Sequence, residues 1–597
     1  MIHVHRRLVL ACIALALAAT TPPRAAFAQT FDKILDTANP VVTQGGGPGG
    51  SFIGSAWVDT DQDGDLDLFI VRNGLFRNDG GGLFTRLPDA VVSQGLATGC
   101  TWGDIDNDGD LDVFVAGGTP SGSAMYRNLG GNQFAKLTTG VLADTATHFG
   151  WAAAFGDYDR DGNLDLVLAA PIGFNGVTGP NRLLHGLGGG AFERVDSSAV
   201  AASVNFYTVP SWSDFDDDGD IDLFIGTGSG GGALGADWIF SNRHESQPGW
   251  FERYTAAPLA TDLHDGQQYH WIDYDNDGDL DVYLTNFGGN ANNLYANLGG
   301  GVFVQRTAAE VGSIVSDISP SLASVWQDFD NDGDLDCYVT NAQTFAARFY
   351  RNDAGVFTPL TLGPLTGNGP HWGATAGDYD DDGRVDLYVN GTAGTHGLFR
   401  NTTAAAGHWL RVTLSGAASN RSAIGARVRL KAVIGGTPRW QVREVSAQSS
   451  FDGMSMLDPH FGLGDATVAD SVVIEWPSGA RSVRTQVPAD ARLLMSESDG
   501  TTDVPGHAPL ALAILAVGGN PGRGAIPVRF RVPHESEASV ELIDASGRRI
   551  DLQRSASGAA GVRHLLLAES LILAPGLYLV RLQQGGRSVT AKVTRMH

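Results

Sequence analysis

One nine-residue pattern, Asp-x-Asp-x-Asp-Gly-x-x-Asp, occurs seven times in this chain. The copies are DTDQDGDLD from Asp59, DIDNDGDLD from Asp104, DYDRDGNLD from Asp157, DFDDDGDID from Asp214, DYDNDGDLD from Asp273, DFDNDGDLD from Asp328 and DYDDDGRVD from Asp378. Their starts lie 45 to 59 residues apart. A sequence period of that length belongs to a propeller blade or a comparable stacked unit, because one such unit cannot bury its apolar face alone. So many adjacent carboxylates repel one another, which calls for a cation.

The columns name the ligands. Position 1 is Asp59, Asp104, Asp157, Asp214, Asp273, Asp328 and Asp378; position 3 is Asp61, Asp106, Asp159, Asp216, Asp275, Asp330 and Asp380. Position 5 is Asp63, Asp108, Asp161, Asp218, Asp277, Asp332 and Asp382; position 9 is Asp67, Asp112, Asp165, Asp222, Asp281, Asp336 and Asp386. Position 7 varies, as Asp65, Asp110, Asn163, Asp220, Asp279, Asp334 and Arg384. An arginine cannot ligate a cation through its side chain, so position 7 is expected to offer its backbone carbonyl. Four carboxylates, a carbonyl and a water form the oxygen-only shell that Ca²⁺ prefers, with up to seven ions per chain. The invariant Gly at position 6 permits the sharp turn, and no His or Cys joins the pattern, which argues against zinc. The fourth column is variable, and Asp217 in it is expected to face solvent.

An EF-hand would need a bidentate Glu at position 12 and a following helix. Position 12 is aliphatic in every copy, and positions 8, 10 and 12 are all apolar. That period of two predicts a buried strand leaving the loop. An aromatic two residues before the first Asp in six copies, such as Trp57 and Trp212, predicts a strand entering it. Each loop is therefore expected in a hairpin. Further along each repeat comes a short strand ending near Asn (LFRN, MYRN, IFSN, LYAN, FYRN, LFRN), a Gly-rich turn and a Phe-led strand, making four strands. The seventh repeat lacks the Phe-led strand, and FDKILD at Phe31–Asp36 has its form. An N-terminal strand completing the last blade would close the ring and remove its open edges.

The loops resemble the FG-GAP (VCBS-type) repeats of integrin α-chain propellers and their bacterial relatives, over roughly residues 31 to 401. That resemblance implies a propeller whose Asp-rich hairpins bind Ca²⁺. After His408 the Asp loops stop and alternating strand sequence follows. SNRSAIGARV, REVSAQSSF, HFGLG and EWPSG resemble the ASPIC/UnbV domain, for which no activity carries over. NPGRGAIPVRFRVP, IDASGRR and GLYLVRL resemble both the FlgD-type immunoglobulin-like domain and the sorting domain of the Por export system. The expected architecture is all-β: a seven-bladed β-propeller closed by an N-terminal strand, then a small β domain, then a C-terminal Ig-like β-sandwich. The expected boundaries are a signal peptide at 1–28, the propeller at 29–402, the second domain at 403–498, a linker at 499–509 and the last domain at 510–597.

A formal charge of −26 makes nucleic acid an unlikely partner. The start MIHVHRR, the apolar LVLACIALALAA and the small-x-small AFA read as an export signal too short to span a membrane. Beyond it, Cys100 and Cys337 are expected as buried free thiols. These features point to a secreted or cell-surface protein, with the periplasm as the other location, that binds an extracellular protein or glycan while calcium plays a structural role. Recognition is expected on the face away from the metal loops, in PIGFNG, GSGGGALGADW, DLHDGQQYHW and GPHW, whose aromatic, amide and His residues look exposed. The alternative is a polysaccharide lyase or glycosidase on the same scaffold, for which Asp262, His264, Asp265 and His270 form the one dense cluster. His460 and Glu475 have nothing in the sequence to fix them as a catalytic pair, and no transmembrane segment follows the signal.

Overall fold

A computed structural model describes residues 29–44, 52–87, 97–117, 123–143, 150–170, 179–202, 207–228, 234–243, 250–392, 394–404, 407–499, 513–517, 526–532, 537–555, 561–568, 571, 573–584 and 587–595. The export signal, PIGFNG and most of the expected linker lie outside them.

The repeats fold as seven four-stranded antiparallel sheets. In the first, Ser55–Val58 pairs with Asp67–Ile70 across the Asp loop, then Gly74–Asn78 and Phe84–Leu87 follow in order. The alternating apolar columns explain the arrangement: inner strands such as Ser55–Val58 and Asp67–Ile70 are buried throughout, while the Phe-led outer strand buries little beyond its first residue. The seventh sheet is completed from the other end of the chain, with Phe31 opposite Asn401 and Lys33 opposite Phe399. First strands of successive sheets pack side by side, and that of the seventh, His371–Gly377, packs on that of the first. Neighbouring sheets meet through aromatic pairs: Phe215 stacks on Trp271 with ring centroids 5.7 Å apart, and Tyr379 on Trp57 at 6.0 Å. Each pair joins position 2 of one loop to the first strand of the next repeat. Cys100 and Cys337 are buried and unbridged.

After the repeats, one four-stranded and one three-stranded sheet form a second β unit. Its strands Arg427–Ile434 and His408–Ser415 face the Asp loops. From it, residues 447–456 run down the middle of the ring. The Trp57 and Met454 amides donate to the Met454 and Ser55 carbonyls at 3.1 and 2.9 Å; the Cys100 amide donates to the Asp452 carbonyl and that of Met456 to Ala376. Phe451, at the far tip, packs in one cluster with Trp151, Leu322 and Trp372, at the beginnings of three first strands. The segment therefore traverses the axis from the loop side to the other mouth. Gly54 makes room for it, because a Cβ there would sit 1.7 Å from the Asp452 carbonyl oxygen. Further along the chain, Ala538–Asp544, Arg549–Ser555, Gly576–Gln584 and Arg587–Arg595 form a sheet beside a second one of three strands, with Val540, Phe530 and Leu582 in the core between them.

Candidate metal centre

Each loop is assembled by its own backbone. In five of the loops the position-1 carboxylate accepts from the position-6 glycine amide, as Gly64 to Asp59 at 3.0 Å, Gly109 to Asp104 at 2.6 Å and Gly333 to Asp328 at 2.6 Å. The position-7 amide donates to position 5, as Asp279 does to Asp277 at 3.0 Å. These bonds fold positions 1, 3 and 5 inward, so that one oxygen from each of Asp59, Asp61 and Asp63 lies within 4.8 Å of the others; the same holds for Asp104, Asp106 and Asp108, and for Asp214, Asp216 and Asp218.

Position 9 has a second job that the columns do not reveal. In every loop but that of Asp222 its two oxygens accept from two backbone amides, that of position 2 and that of the last residue of the third strand, an Asn except at Gly186: Asp281 takes Tyr274 at 3.2 Å and Asn297 at 2.8 Å. The Asn side chain then reaches the previous repeat. Asn297 donates to the Phe215 carbonyl at 2.9 Å, Asn352 to Tyr274 at 2.8 Å, Asn401 to Phe329 at 2.8 Å and Asn78 to Tyr379 at 2.7 Å. The recurrent RN and AN motifs were visible in the sequence; that they staple adjacent sheets was not.

These carboxylates fit a hard divalent cation. Both oxygens of the buried Asp273 lack a hydrogen bond, as does one oxygen each of Asp59, Asp61 and Asp380. Burial, followed by neighbouring carboxylates, pushes Asp59 and Asp104 up to about 6 and Asp112 to about 8, and holds Asp273 and Asp281 well above the usual carboxylate range. A cation in the loop would restore their charge and take the lone pairs that the protein leaves unused.

The fourth column is the largest departure from expectation. All seven of its residues, Gln62, Asn107, Arg160, Asp217, Asn276, Asn331 and Asp381, have φ between 55° and 62°, and five of them donate to the next loop. Gln62 reaches the Gly109 carbonyl at 2.9 Å, Asn107 that of Gly162 at 3.0 Å, Asn276 that of Gly333 at 3.0 Å and Asn331 that of Gly383 at 3.0 Å, while Arg160 reaches Asp220 at 3.1 Å. Asp217 and Asp381 have no proton to give, and there the second β unit intervenes. Arg429 lies 3.4 Å from Asp217 and donates to the Gly278 carbonyl at 3.0 Å. Arg411 binds Asp381 at 2.5 Å while Arg492 donates to the Gly64 carbonyl at 3.1 Å. Asp217 thus does not face solvent: it is held by Arg427 and Arg429, because an acceptor at this junction requires a cationic donor from outside the ring.

The residues considered for catalysis do not converge. His264 and Asp262 both bond the Tyr295 hydroxyl, at 2.8 and 3.0 Å. Asp265 is wholly buried and accepts from Gln267. His270 lies 3.3 Å from the Ser324 carbonyl, lining a cavity of about 80 Å³ with Trp326 and Glu444. The apparent exposure of DLHDGQQYHW and GPHW is corrected in part: Tyr269, His371 and Trp372 are buried in the first strands Gly266–Ile272 and His371–Gly377 at the packed axis, whereas Leu263 is exposed. His460 stacks on Trp409 against the Gly383 carbonyl, whereas Glu475 pairs with Arg429.

Comparison with known proteins agrees with this arrangement. The FG-GAP-like repeat matches at 59–115, 104–168, 214–284, 273–339 and 328–389, and the ASPIC and UnbV domain at 416–502. The chain therefore carries FG-GAP-like repeats and an ASPIC and UnbV domain. It is similar to cartilage acidic protein 1 of Mus musculus, 27% identical over 274 residues covering 42% of this chain and 40% of that protein. Against cartilage acidic protein 1 of Homo sapiens it is 27% identical over 264 residues, covering 41% and 38%. The chain thus spans about two fifths of the length of these relatives. Among solved structures, an Agrocybe aegerita lectin with specific recognition of non-reducing terminal N-acetylglucosamine aligns with a TM-score of 0.37 and 19% identity, over 57% of this chain and 87% of its own.

Proposed function

We propose that the chain is a secreted or cell-surface, calcium-stabilised seven-bladed β-propeller that binds an extracellular protein or glycan, with the ions in a structural role. Positions 1, 3, 5 and 9 of each loop would hold Ca²⁺ with the position-7 carbonyl; the ion supplies charge neutralisation and fixes the hairpin. Seven ions would take the formal charge from −26 to −12, with affinities of about 10⁻⁴ to 10⁻³ M as in extracellular modules. The ASPIC and UnbV domain locks the loop side and the axis. The last β unit would be the sorting or surface-anchoring module.

The observation that carries the binding reading is the coverage of the loop side by the second domain, which leaves the opposite rim as the free surface. In an antiparallel meander that rim carries the second-to-third and fourth-to-first connections. On it, Leu234, Leu263, Ile318 and Phe345 are 43 to 65% exposed. Loops on a rigid scaffold are where recognition resides. A glycan and extracellular-protein array with the calcium-loaded chain tests this. Binding should fall at least about tenfold in Leu263→Asp and Phe345→Asp while calcium content is unchanged. Ligands that bind both variants as well as the parent chain would refute the assignment of the rim. The metal reading has its own measurement: Ca²⁺ added after chelation should raise the melting temperature by many degrees, and elemental analysis that finds no calcium would sink it.

A further inference from the structure

The third repeat departs from its six siblings at three places around one loop. Position 7 is Asn163, which removes a carboxylate. The third strand reads LLHG where the others end in RN, SN or AN, so His185 takes the column of Arg77, Arg127, Arg351 and Arg400, and Gly186 takes that of the stapling Asn. In two sibling loops that column lends a guanidinium to positions 3 and 5: Arg127 bonds Asp106 and Asp108, and Arg400 lies 2.6 Å from Asp380 and 3.1 Å from Asp382. His185 instead places Nε2 2.9 Å from Asp159 Oδ2 and 3.6 Å from Asp161 Oδ2.

The surroundings of this imidazole are those of a ligand. Its Nδ1 lies 3.3 Å from Glu193 Oε1. A proton on Nδ1 shared with that carboxylate leaves the Nε2 lone pair pointing at the loop, the carboxylate–histidine pairing that orients metal-binding imidazoles. The Tyr158 ring, 6.2 Å away, packs beside the imidazole. One donor atom from each of Asp159, Asp165 and His185 lies within 4.8 Å of the others, and so does one from each of Asp157, Asp159 and Asp161. Asp157 is 2% exposed, and neither of its oxygens has a well-formed hydrogen bond.

We propose that the third loop is a mixed nitrogen–oxygen site for a borderline divalent transition metal of the Zn²⁺ or Co²⁺ class, held by His185 with Asp157, Asp159 and Asp165, while the other six loops are oxygen-only. Ca²⁺ gains little from an imidazole, whereas Zn²⁺ and Co²⁺ bind it strongly. This assignment rests on reading the loops as cation clamps, but it depends on a different donor atom.

The full chain, stripped with chelator and returned to millimolar Ca²⁺, should retain a single equivalent of Co²⁺ or Zn²⁺ through gel filtration, with a visible d–d absorption for Co²⁺. His185→Arg, which recreates the sibling arrangement and is therefore compatible with the fold, should lose that equivalent and the absorption while its Ca²⁺ content is unchanged. Glu193→Gln should weaken Co²⁺ binding by about 10- to 100-fold. Failure to retain any transition metal in Ca²⁺ excess, or equal retention in His185→Arg, overturns the site and leaves His185 as a counter-ion for Asp159. A chain that takes up Co²⁺ through His185 but binds no Ca²⁺ would sustain this inference and defeat the calcium reading of the other loops.

Discussion

Arg427 offers the sharpest test of how the second domain is held. Its side chain is 8% exposed, with Nη1 2.5 Å from Asp217 Oδ1, Nη2 donating to the Asp214 carbonyl at 2.6 Å, and the carboxylates of Asp214 and Glu444 at 3.7 and 3.9 Å. Burial works against its charge, but Asp214, Asp217 and Glu444 outweigh this and hold the guanidinium above its ordinary pKa. At an effective dielectric near 20 a charge pair 4 Å apart is worth about 4 kcal/mol. Desolvation returns several kcal/mol, so the intact cluster is near balance, but removing one partner strands the rest and costs about 3–5 kcal/mol. Arg427→Met keeps the stem packing and removes the charge. A chain of several domains has no single unfolding free energy, so the assay is amide exchange at Trp57 and Met454, whose N–H groups bind the Met454 and Ser55 carbonyls and are released only when the axial segment leaves. In chelator, exchange at both should quicken by about two to four orders of magnitude. With Ca²⁺ the effect should be smaller, because an ion beside Asp214 neutralises part of what Arg427 leaves behind. A change in chelator below about 0.5 kcal/mol, the size of a neutral surface substitution, would refute the claim that the charge cluster holds the domain in place.

Three further perturbations report on other joints. Gly54→Ala puts a Cβ 1.7 Å from the Asp452 carbonyl oxygen, so the same two amides should lose protection while the Ca²⁺ content stays unchanged. Asn352→Ala deletes two donations, to Tyr274 and Leu335, and the acceptor for the Gly355 amide; at about 1–3 kcal/mol per stranded buried group, the melting temperature should fall well beyond that of a surface Asn→Ala control. His264 is pushed down to about 4 by burial, against the pull of Asp262. It is therefore neutral in the fold, and its contribution is full above pH 6.5 and lost as pH falls towards 4, by about 3 kcal/mol. His264→Gln does not titrate, so the stability gap between parent and variant should narrow by that amount between pH 7 and pH 4, measured on both chains so that the carboxylates cancel.

The sheets and loops were legible because repetition exposes them. Seven copies make an Asp column or an apolar column stand out, and the partner of each strand lies a few residues away across a turn. Even the N-terminal strand could be placed, since Phe31 has the form of Phe84 and Phe134 and the seventh repeat lacks such a strand. The fourth column was illegible for the opposite reason. Gln62, Asn107, Arg160, Asn276 and Asn331 are of three types that share only a side-chain N–H, and with Asp217 and Asp381 among them the column looked like free variation. The axial segment escaped too: SAQSSFDGM carries no strand period, and the segment's partners Ser55, Cys100 and Ala376 lie 80 or more residues from the residues they bond, joined to it by backbone groups that any residue possesses.

The two Asp exceptions in that column explain why the ring and the second domain fit in one orientation. Five junctions between loops are closed by a donor from the ring itself. The junctions after Asp217 and Asp381 are not, because a carboxylate cannot donate to the next glycine carbonyl. An isolated ring would leave the Gly278 and Gly64 carbonyls to water and two extra negative charges beside clusters that already repel. Arg429 and Arg492 fill those carbonyls, and Arg427 and Arg411 neutralise those charges. Four arginines drawn from three strands of one domain can meet both gaps together only when that domain sits over the loop side with residues 447–456 in the axis. The two carboxylates of the fourth column, Asp217 and Asp381, are thus what registers the domain on the loops.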